Sequence, residues 1–409
     1  MRNNIIFALF VSFVAAVAIV IGCSGGEENS SPQKPGLIVI TPGTNPGEDN
    51  PGSGGDNQGG DNPGTGGDEE ALAAYREWNN GSGIQPAPKG VPGGYTPKQY
   101  SNPVFGKTYT LPDPTVFRKD GWFYLFATGG NCRIMRSKDL TKWESIGTAF
   151  TDAGRPAWLS NEDGSKVGLW APDINIIDGK YVLFYSLATN NNVRGIGRAV
   201  SDKLEGPYTD LGMLIRSNTF GTTGTIDPNY FEYQGEKYLC WGNFSNIYCA
   251  QLTDDGLNLK YPGDKSKLKT IAGKNFEGPL IHKRGDWFYF IGSAGTCCKG
   301  YDSTYHLQVA RAKTPFGPFI NKNGNAITGT TQGTTFLEGN TKFIGPGHNA
   351  EIVTDDAGDD WLLYHSYING VTNSKRLLCL DKITWTEDGW PTINDGHPSE
   401  NATAPVFAD

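Results

Sequence analysis

An apolar run of about six residues, a Gly-containing turn and a second run rich in aromatics recur five times along this chain. The clearest copy is LPDPTVFRKDGWFYLF at residues 111–126. WAPDINIIDGKYVLFYS follows at 170–186, IDPNYFEYQGEKYLCWG at 226–242, FEGPLIHKRGDWFYFIGS at 276–293 and GHNAEIVTDDAGDDWLLYHS at 347–366. Short runs bounded by turn residues predict strands, and each pair reads as a hairpin. Long helical periodicity is missing from the sequence beyond the signal-like start, so the expected class is all-β. A strand-turn-strand unit recurring at roughly 50–70 residues predicts the blades of a β-propeller, here with five blades.

Register sharpens this reading. Counting back eight residues from the turn glycines Gly121, Gly235 and Gly285 leads to Asp113, Asp227 and Glu277. The corresponding place in the second copy holds Ala171; in the fifth, whose turn is two residues longer, it holds His348. Blades stand radially around a channel. With the first strand of each innermost, three carboxylates and one His are predicted at one mouth of that channel. Asp173 falls two residues off this register and reads as a structural hydrogen-bonding group.

The chain opens differently. Residues 1–22 carry Arg2, an apolar stretch and then VIGC, the pattern of a secretory signal in which Cys23 is the acylated residue of a bacterial lipoprotein. Ser24 after that Cys points to the outer membrane, and Glu27-Glu28 resembles an acidic surface-export signal. Residues 23–70, dominated by Gly, Pro, Asn, Asp and Ser, read as a flexible tether. Residues 71–100 form an extension, with a short helix expected over 69–78, and residues 101–409 form the propeller. A closed propeller on a tether needs no second copy, so a monomer is expected.

Charge sits on the tether. From Ala71 onward 33 basic residues face 34 acidic ones, a net charge of −1, so the folded part has no overall electrostatic footprint for nucleic acid. A neutral polymer is the better-matched substrate. Of seven cysteines, Cys240 and Cys249 are placed to pack across a hairpin, and Cys297-Cys298 lacks the spacing of a zinc site.

Two carboxylates flanking a sugar ring are the usual means of breaking a glycosidic bond, one protonating the leaving oxygen and one acting on the anomeric side. A third carboxylate beside the proton donor raises its pKa toward working pH. The longer Glu277 suits the acid and Asp113 the base. Against this stands Asp-Pro as a simple turn device. Trp122, Trp241, Trp287 and Trp361 read as blade core, whereas Trp170, next to Ala171, is a candidate platform for stacking a sugar.

In order, LPDPTVF, WAPDI, IDPNYF, FEGPLI and GPGHN resemble glycoside hydrolase family 43 over residues 111–391. The resemblance implies a five-bladed propeller with Asp113 as general base, Asp227 as pKa modulator and Glu277 as general acid. CCKGYDSTYHLQVARA from Cys297 is similar to a stretch of the arabinan endo-1,5-α-L-arabinanases, and GPGH to the loop whose His, here His348, helps hold a water-shelled calcium in the channel. Two departures lie beside the expected site: Pro112 stands where arabinanases commonly have His, and Ala294-Gly295-Thr296 replaces a longer apolar approach to the paired cysteines.

The sequence therefore predicts an inverting glycoside hydrolase of a pentose polysaccharide, foremost an endo-acting enzyme on α-1,5-linked arabinan. The alternatives are an exo-acting α-L-arabinofuranosidase or β-xylosidase and a surface lipoprotein that binds glycan without cleaving it. About forty residues follow the fifth repeat in this sequence, fewer than the β-sandwich that many β-xylosidase relatives append would need, which tilts the expectation away from a xylosidase.

Overall fold

Every repeat folds as a sheet whose first strand is paired to the second across the turn read from the sequence. In the first, Thr115–Lys119 pairs Trp122–Ala127, followed by Arg133–Ser137 and Glu144–Thr148. Four more such sheets complete a five-bladed propeller, described here from a computed structural model covering residues 78–79, 88–107, 109–158, 168–188 and 194–407. The inner strands of the second to fourth blades are Trp170–Ile177, Asn229–Tyr233 and Glu277–Arg284. In the fifth, Phe343–Gly347 and Val353–Thr354 both pair Asp360–Ile368. The signal, Cys23 and the tether lie outside the described residues. So does most of the expected helix, whose far end is a strand: Trp78–Asn79 adds to the edge of the third blade.

Five hydrophobic clusters fill the five gaps between neighbouring blades. Phe117 and Phe126 of the first blade meet Leu183 and Tyr185 of the second. At the far side of the same first sheet, Val116 and Leu125 meet Leu363 and Leu380 of the fifth. Adjacent residues on one strand thus enter opposite cores. Because both faces of the inner strands are buried, those strands read as continuous apolar runs and lack the polar alternation of a half-exposed sheet.

Ring closure uses both ends of the described chain. Gln99–Ser101 pairs Asn401–Thr403, and the Asn102 side chain donates to Leu380 O and accepts from Leu380 N–H, both at 2.9 Å. One side chain thereby completes the strand edge at Leu380, which the short strand Pro391–Thr392, paired at Thr384 and Trp385, does not reach.

Hydrogen bonds across the blade seams organise the mouth of the channel. At the start of each inner strand one residue has a positive φ: Asp113, Ala171, Asp227, Gly278 and His348. Its N–H points to the previous blade. Ala171 donates to Thr128 Oγ1 at 2.7 Å, Asp227 to Ser186 Oγ at 2.8 Å, His348 to Ser293 Oγ at 2.9 Å, and Asp113 to His365 Nδ1 at 3.2 Å. In the remaining seam the second strand, Glu236–Trp241, is followed by Gly242, which has no side chain to offer, and the N–H of Gly278 goes to Asp227 Oδ2 at 3.1 Å.

This corrects the register. The fourth blade's equivalent of Asp113 is Gly278, and Glu277 stands one residue earlier. The miscount comes from the turn: Lys119 pairs Trp122, so Gly121 is the second turn residue, whereas Arg284 pairs Trp287, so Gly285 is the first. Gly is required at 278. Its φ is +56°, and a Cβ there would lie 3.1 Å from His348 Nδ1.

A second tier of seam bonds lies deeper. Thr115 Oγ1 accepts from Ile174 N–H, Asp173 Oδ2 from Tyr230 N–H, Asn229 Oδ1 from Ile281 N–H and Glu351 Oε2 from Val116 N–H. Asp173 is buried and does structural work, as read from the sequence. Cys240 and Cys249 face each other across a strand pair as free, buried thiols.

Candidate active site

The first tier of seam residues opens into a cavity of about 590 Å³ lined by Asp113, Trp170, Asp227, Glu277 and His348, with Arg194, Asn243, Phe244, Cys297, Cys298 and Arg376 also on its walls. All five residues singled out for this site are therefore together; Cys23 lies outside the described residues. Trp170 is 39% exposed and Phe244 40%, which leaves two aromatic surfaces open in a site whose three carboxylates are each under 10% exposed. Of the remaining tryptophans, Trp241 and Trp361 are buried blade core; Trp122 and Trp287 are half-buried under cationic side chains.

Asp113 is held by charge. Arg376 Nη1 lies 2.9 Å from its Oδ1, with His365 Nδ1 at 3.3 Å and His348 Nδ1 at 3.5 Å. Burial works against an ionised Asp113, but its neighbours, Arg376 foremost, outweigh it and hold the carboxyl well below the usual range. His365 contributes less than its distance suggests. Its Nδ1 accepts the N–H of Asp113, so it has no proton to offer the carboxylate. Burial also pushes its own pKa down to about 4, which keeps the ring neutral. Arg376 is then the charge that counts.

Glu277 shows the opposite behaviour. Burial and the negative charge of Asp113 raise its pKa to about 7, while the neighbouring Tyr305 hydroxyl and a hydrogen bond from Asn243 restrain the rise. Asn243 Nδ2 donates to Glu277 Oε2, and its own Oδ1 accepts from Arg194, so a charge is relayed to Glu277 through a neutral amide. Asp227 is also raised, by burial and then by Glu277 and Asp113. Its Oδ2 is fixed by the Gly278 N–H, one residue from Glu277. The seam bond that a Ser or Thr makes elsewhere is made here by a carboxylate, which pins Asp227 beside Glu277.

Beneath this mouth a void of about 20 Å³, near the size of one water, is bordered by His348, Asp227, Asp173, Asn349 and Glu351. Asn349 Oδ1 is buried there without a hydrogen-bond partner. Calcium takes six to eight oxygen ligands. Among the described residues no three His, Cys, Asp or Glu side chains converge to hold a metal, so an ion at His348 would draw much of its shell from water.

Arg376, His365, Arg194, Asn243 and Tyr305 escaped the sequence reading. His365 had a signal: it occupies the second-strand place of Thr128, Ser186 and Ser293. Arg376 had a weaker one, a lone cation in the run RLLCL. The departures sit where expected. Pro112 is buried next to Asp113, and Gly295 and Thr296 line the cavity.

Known proteins resemble this chain in sequence and fold. Residues 100–391 match the Glycosyl hydrolases family 43. The chain is 30% identical over 313 residues to an extracellular exo-α-(1→5)-L-arabinofuranosidase of Cellvibrio japonicus, covering 71% of this chain and 88% of that one. It is 30% identical over 296 residues to an extracellular endo-α-(1→5)-L-arabinanase of Bacillus subtilis, covering 69% and 87%. Among solved structures, the α-L-arabinanase of Cellvibrio cellulosa complexed with arabinohexaose superposes with a TM-score of 0.62 at 28% identity, covering 70% of this chain and 96% of that one. With the match running from the ring-closing strand into the last blade, the chain belongs to glycosyl hydrolases family 43 and is a glycoside hydrolase.

Proposed function

We propose that the protein hydrolyses α-1,5-linked L-arabinan within the chain and inverts the anomeric carbon. The observation that carries this reading is the opposed ionisation of two carboxyls in one cavity, Asp113 held well below the usual range and Glu277 raised to about 7. In the acid range Asp113 is then a carboxylate and Glu277 keeps its proton. Asp113 takes a proton from water as that water attacks the anomeric carbon. Glu277 gives its proton to the departing glycosidic oxygen. Burial and then Glu277 raise Asp227 in turn, so the two carboxyls do not ionise together cheaply and a proton is kept on the pair. Trp170 offers its open face to a neighbouring sugar.

Arabinan as substrate draws support from the relatives named above, and one of those is named for exo action. A product time course on linear α-1,5-arabinan tests both points. Oligosaccharides of mixed length appearing early are the expected result. Arabinose alone would assign the exo mode, and no release from arabinan would overturn the substrate. Proton NMR of the first product should show the inverted anomer; the retained one would overturn the mechanism.

The remaining parts of the proposal concern setting. Lipidation at Cys23 would hold the enzyme on the outer membrane by a tether, which globomycin-sensitive processing and membrane fractionation would test. A water-shelled calcium beside His348 is tested by chelation followed by a melting curve. No catalytic step above passes through it.

A further inference from the structure

Cys297 and Cys298, adjacent in sequence, are joined to each other by a disulfide, and both line the cavity that holds Asp113, Asp227 and Glu277. The other described cysteines, Cys132, Cys240, Cys249 and Cys379, are buried free thiols. Disulfide chemistry among the described residues is thus confined to the wall of the active site.

Stabilisation of the fold does not account for this bond. A disulfide stabilises mainly by restricting the unfolded chain, and the effect shrinks with the length of the loop it closes. Here the cysteines are neighbours, and the loop is as short as it can be.

What the bond does supply is a fixed surface. A disulfide has no S–H donor, and its two sulfurs cannot rotate apart, so they present a polarizable, apolar face. Its position is determined on both sides. Thr296 N–H donates to Thr304 Oγ1 and Thr304 N–H to Thr296 O, both at 3.0 Å. Tyr301 N–H donates to Asn373 Oδ1 at 2.6 Å, tying the segment to the strand Thr372–Trp385 that carries Arg376. Cys297 Sγ lies 3.8 Å from Arg376 Nη1, the nitrogen that holds Asp113.

We propose that the Cys297–Cys298 disulfide is a specificity wall of the substrate cleft. Its sulfurs pack against the C–H face of a pentose unit next to the scissile bond, and Cys297 backs Arg376. The inference rests on the arabinan reading above. Reduction would replace the wall with two thiols, each adding a polar S–H and a free rotor that substrate must then order.

The test is reduction of the folded enzyme with a water-soluble phosphine. This breaks the S–S bond, forms two thiols and oxidises the phosphine to its oxide with oxygen from water. Mass spectrometry of alkylated protein scores the reaction. The four buried thiols give the reagent no other disulfide to attack among the described residues. KM for α-1,5-arabino-oligosaccharides is expected to rise about tenfold, equivalent to about 1.4 kcal/mol of binding, with kcat held within about twofold and the acid limb of kcat/KM in place. Reoxidation should restore KM, and the double variant Cys297→Ser, Cys298→Ser should match the reduced protein. Complete reduction with KM unchanged would overturn the proposal, as would a shifted acid limb at constant KM. A wild-type enzyme that turns over no arabinan would overturn the substrate reading, and this inference with it.

Discussion

The backbone N–H of Asp113 donates to Nδ1 of His365 across the seam between the last blade and the first, at 3.2 Å. In three other seams the same bond is made by Thr128, Ser186 and Ser293. His365 therefore fills a structural place common to the ring, and its neutral, Nε2-protonated form is what that place demands. His365→Ala leaves a buried donor unpaired and is expected to cost roughly 1–3 kcal/mol of stability. His365→Asn keeps an acceptor and should recover part of the loss. Thermal melts of both variants, with the ¹⁵N shifts of the wild-type imidazole, check this. An Nδ1-protonated ring would contradict it.

Glu277 has the raised pKa of a group that must arrive protonated. Activity is expected to fall as pH rises through about 7, where Glu277 loses its proton. Asp227→Asn removes the carboxyl that competes with Glu277 for a proton, so Glu277 no longer ionises against that coupling and this alkaline limb moves to lower pH. The Asn oxygen still accepts the Gly278 N–H, so the strand start is expected to hold. Glu277→Gln should lower kcat by roughly 10²–10⁴-fold and abolish the limb, while oligosaccharide binding persists. Pre-steady-state rates over pH 5–8 for the three proteins decide it.

The blades were legible because each hairpin writes its two apolar strands and its turn within some twenty consecutive residues. Seam chemistry is less so. Whether a turn Gly stands first or second in its two-residue loop depends on pairing across the hairpin, and that single ambiguity displaced Glu277 by one position against Gly278. Arg376 was missed for a related reason: it is 263 residues from Asp113, and only ring closure brings them to 2.9 Å. The vicinal disulfide was equally out of reach, since adjacent cysteines carry no signal of being joined.

Arg376 is expected to set the acid limb. With Arg376→Met the burial that opposes ionisation of Asp113 is no longer outweighed, so its pKa rises and the acid limb of kcat moves to higher pH. Breaking a buried ion pair by removing one partner also costs on the order of 3 kcal/mol. A companion variant, Arg376→Lys, keeps the charge and should restore the limb without restoring the full rate. Unfolding at fixed pH separates the stability loss from the titration. An acid limb unmoved in Arg376→Met would mean that the imidazoles hold Asp113.

Gly278 is where the ring and the chemistry meet most closely. Four blades place Asp113, Ala171, Asp227 or His348 at the positive-φ position; the fourth in chain order places a Gly, one residue after Glu277. An added methyl would carry the left-handed penalty of about 1–2 kcal/mol and would press on the His348 ring, 3.1 Å from the new carbon. His348 in turn lies 3.5 Å from Asp113. Gly278→Ala is thus expected to lower stability by about that penalty and to lower kcat more than KM changes, because it disturbs the acid and the base together. Gly285→Ala, a turn Gly with φ +54° and open space around its Cβ, carries similar backbone strain far from the cavity. It should show the stability loss with kcat intact. Equal kcat losses in the two variants would reduce the effect at 278 to strain alone.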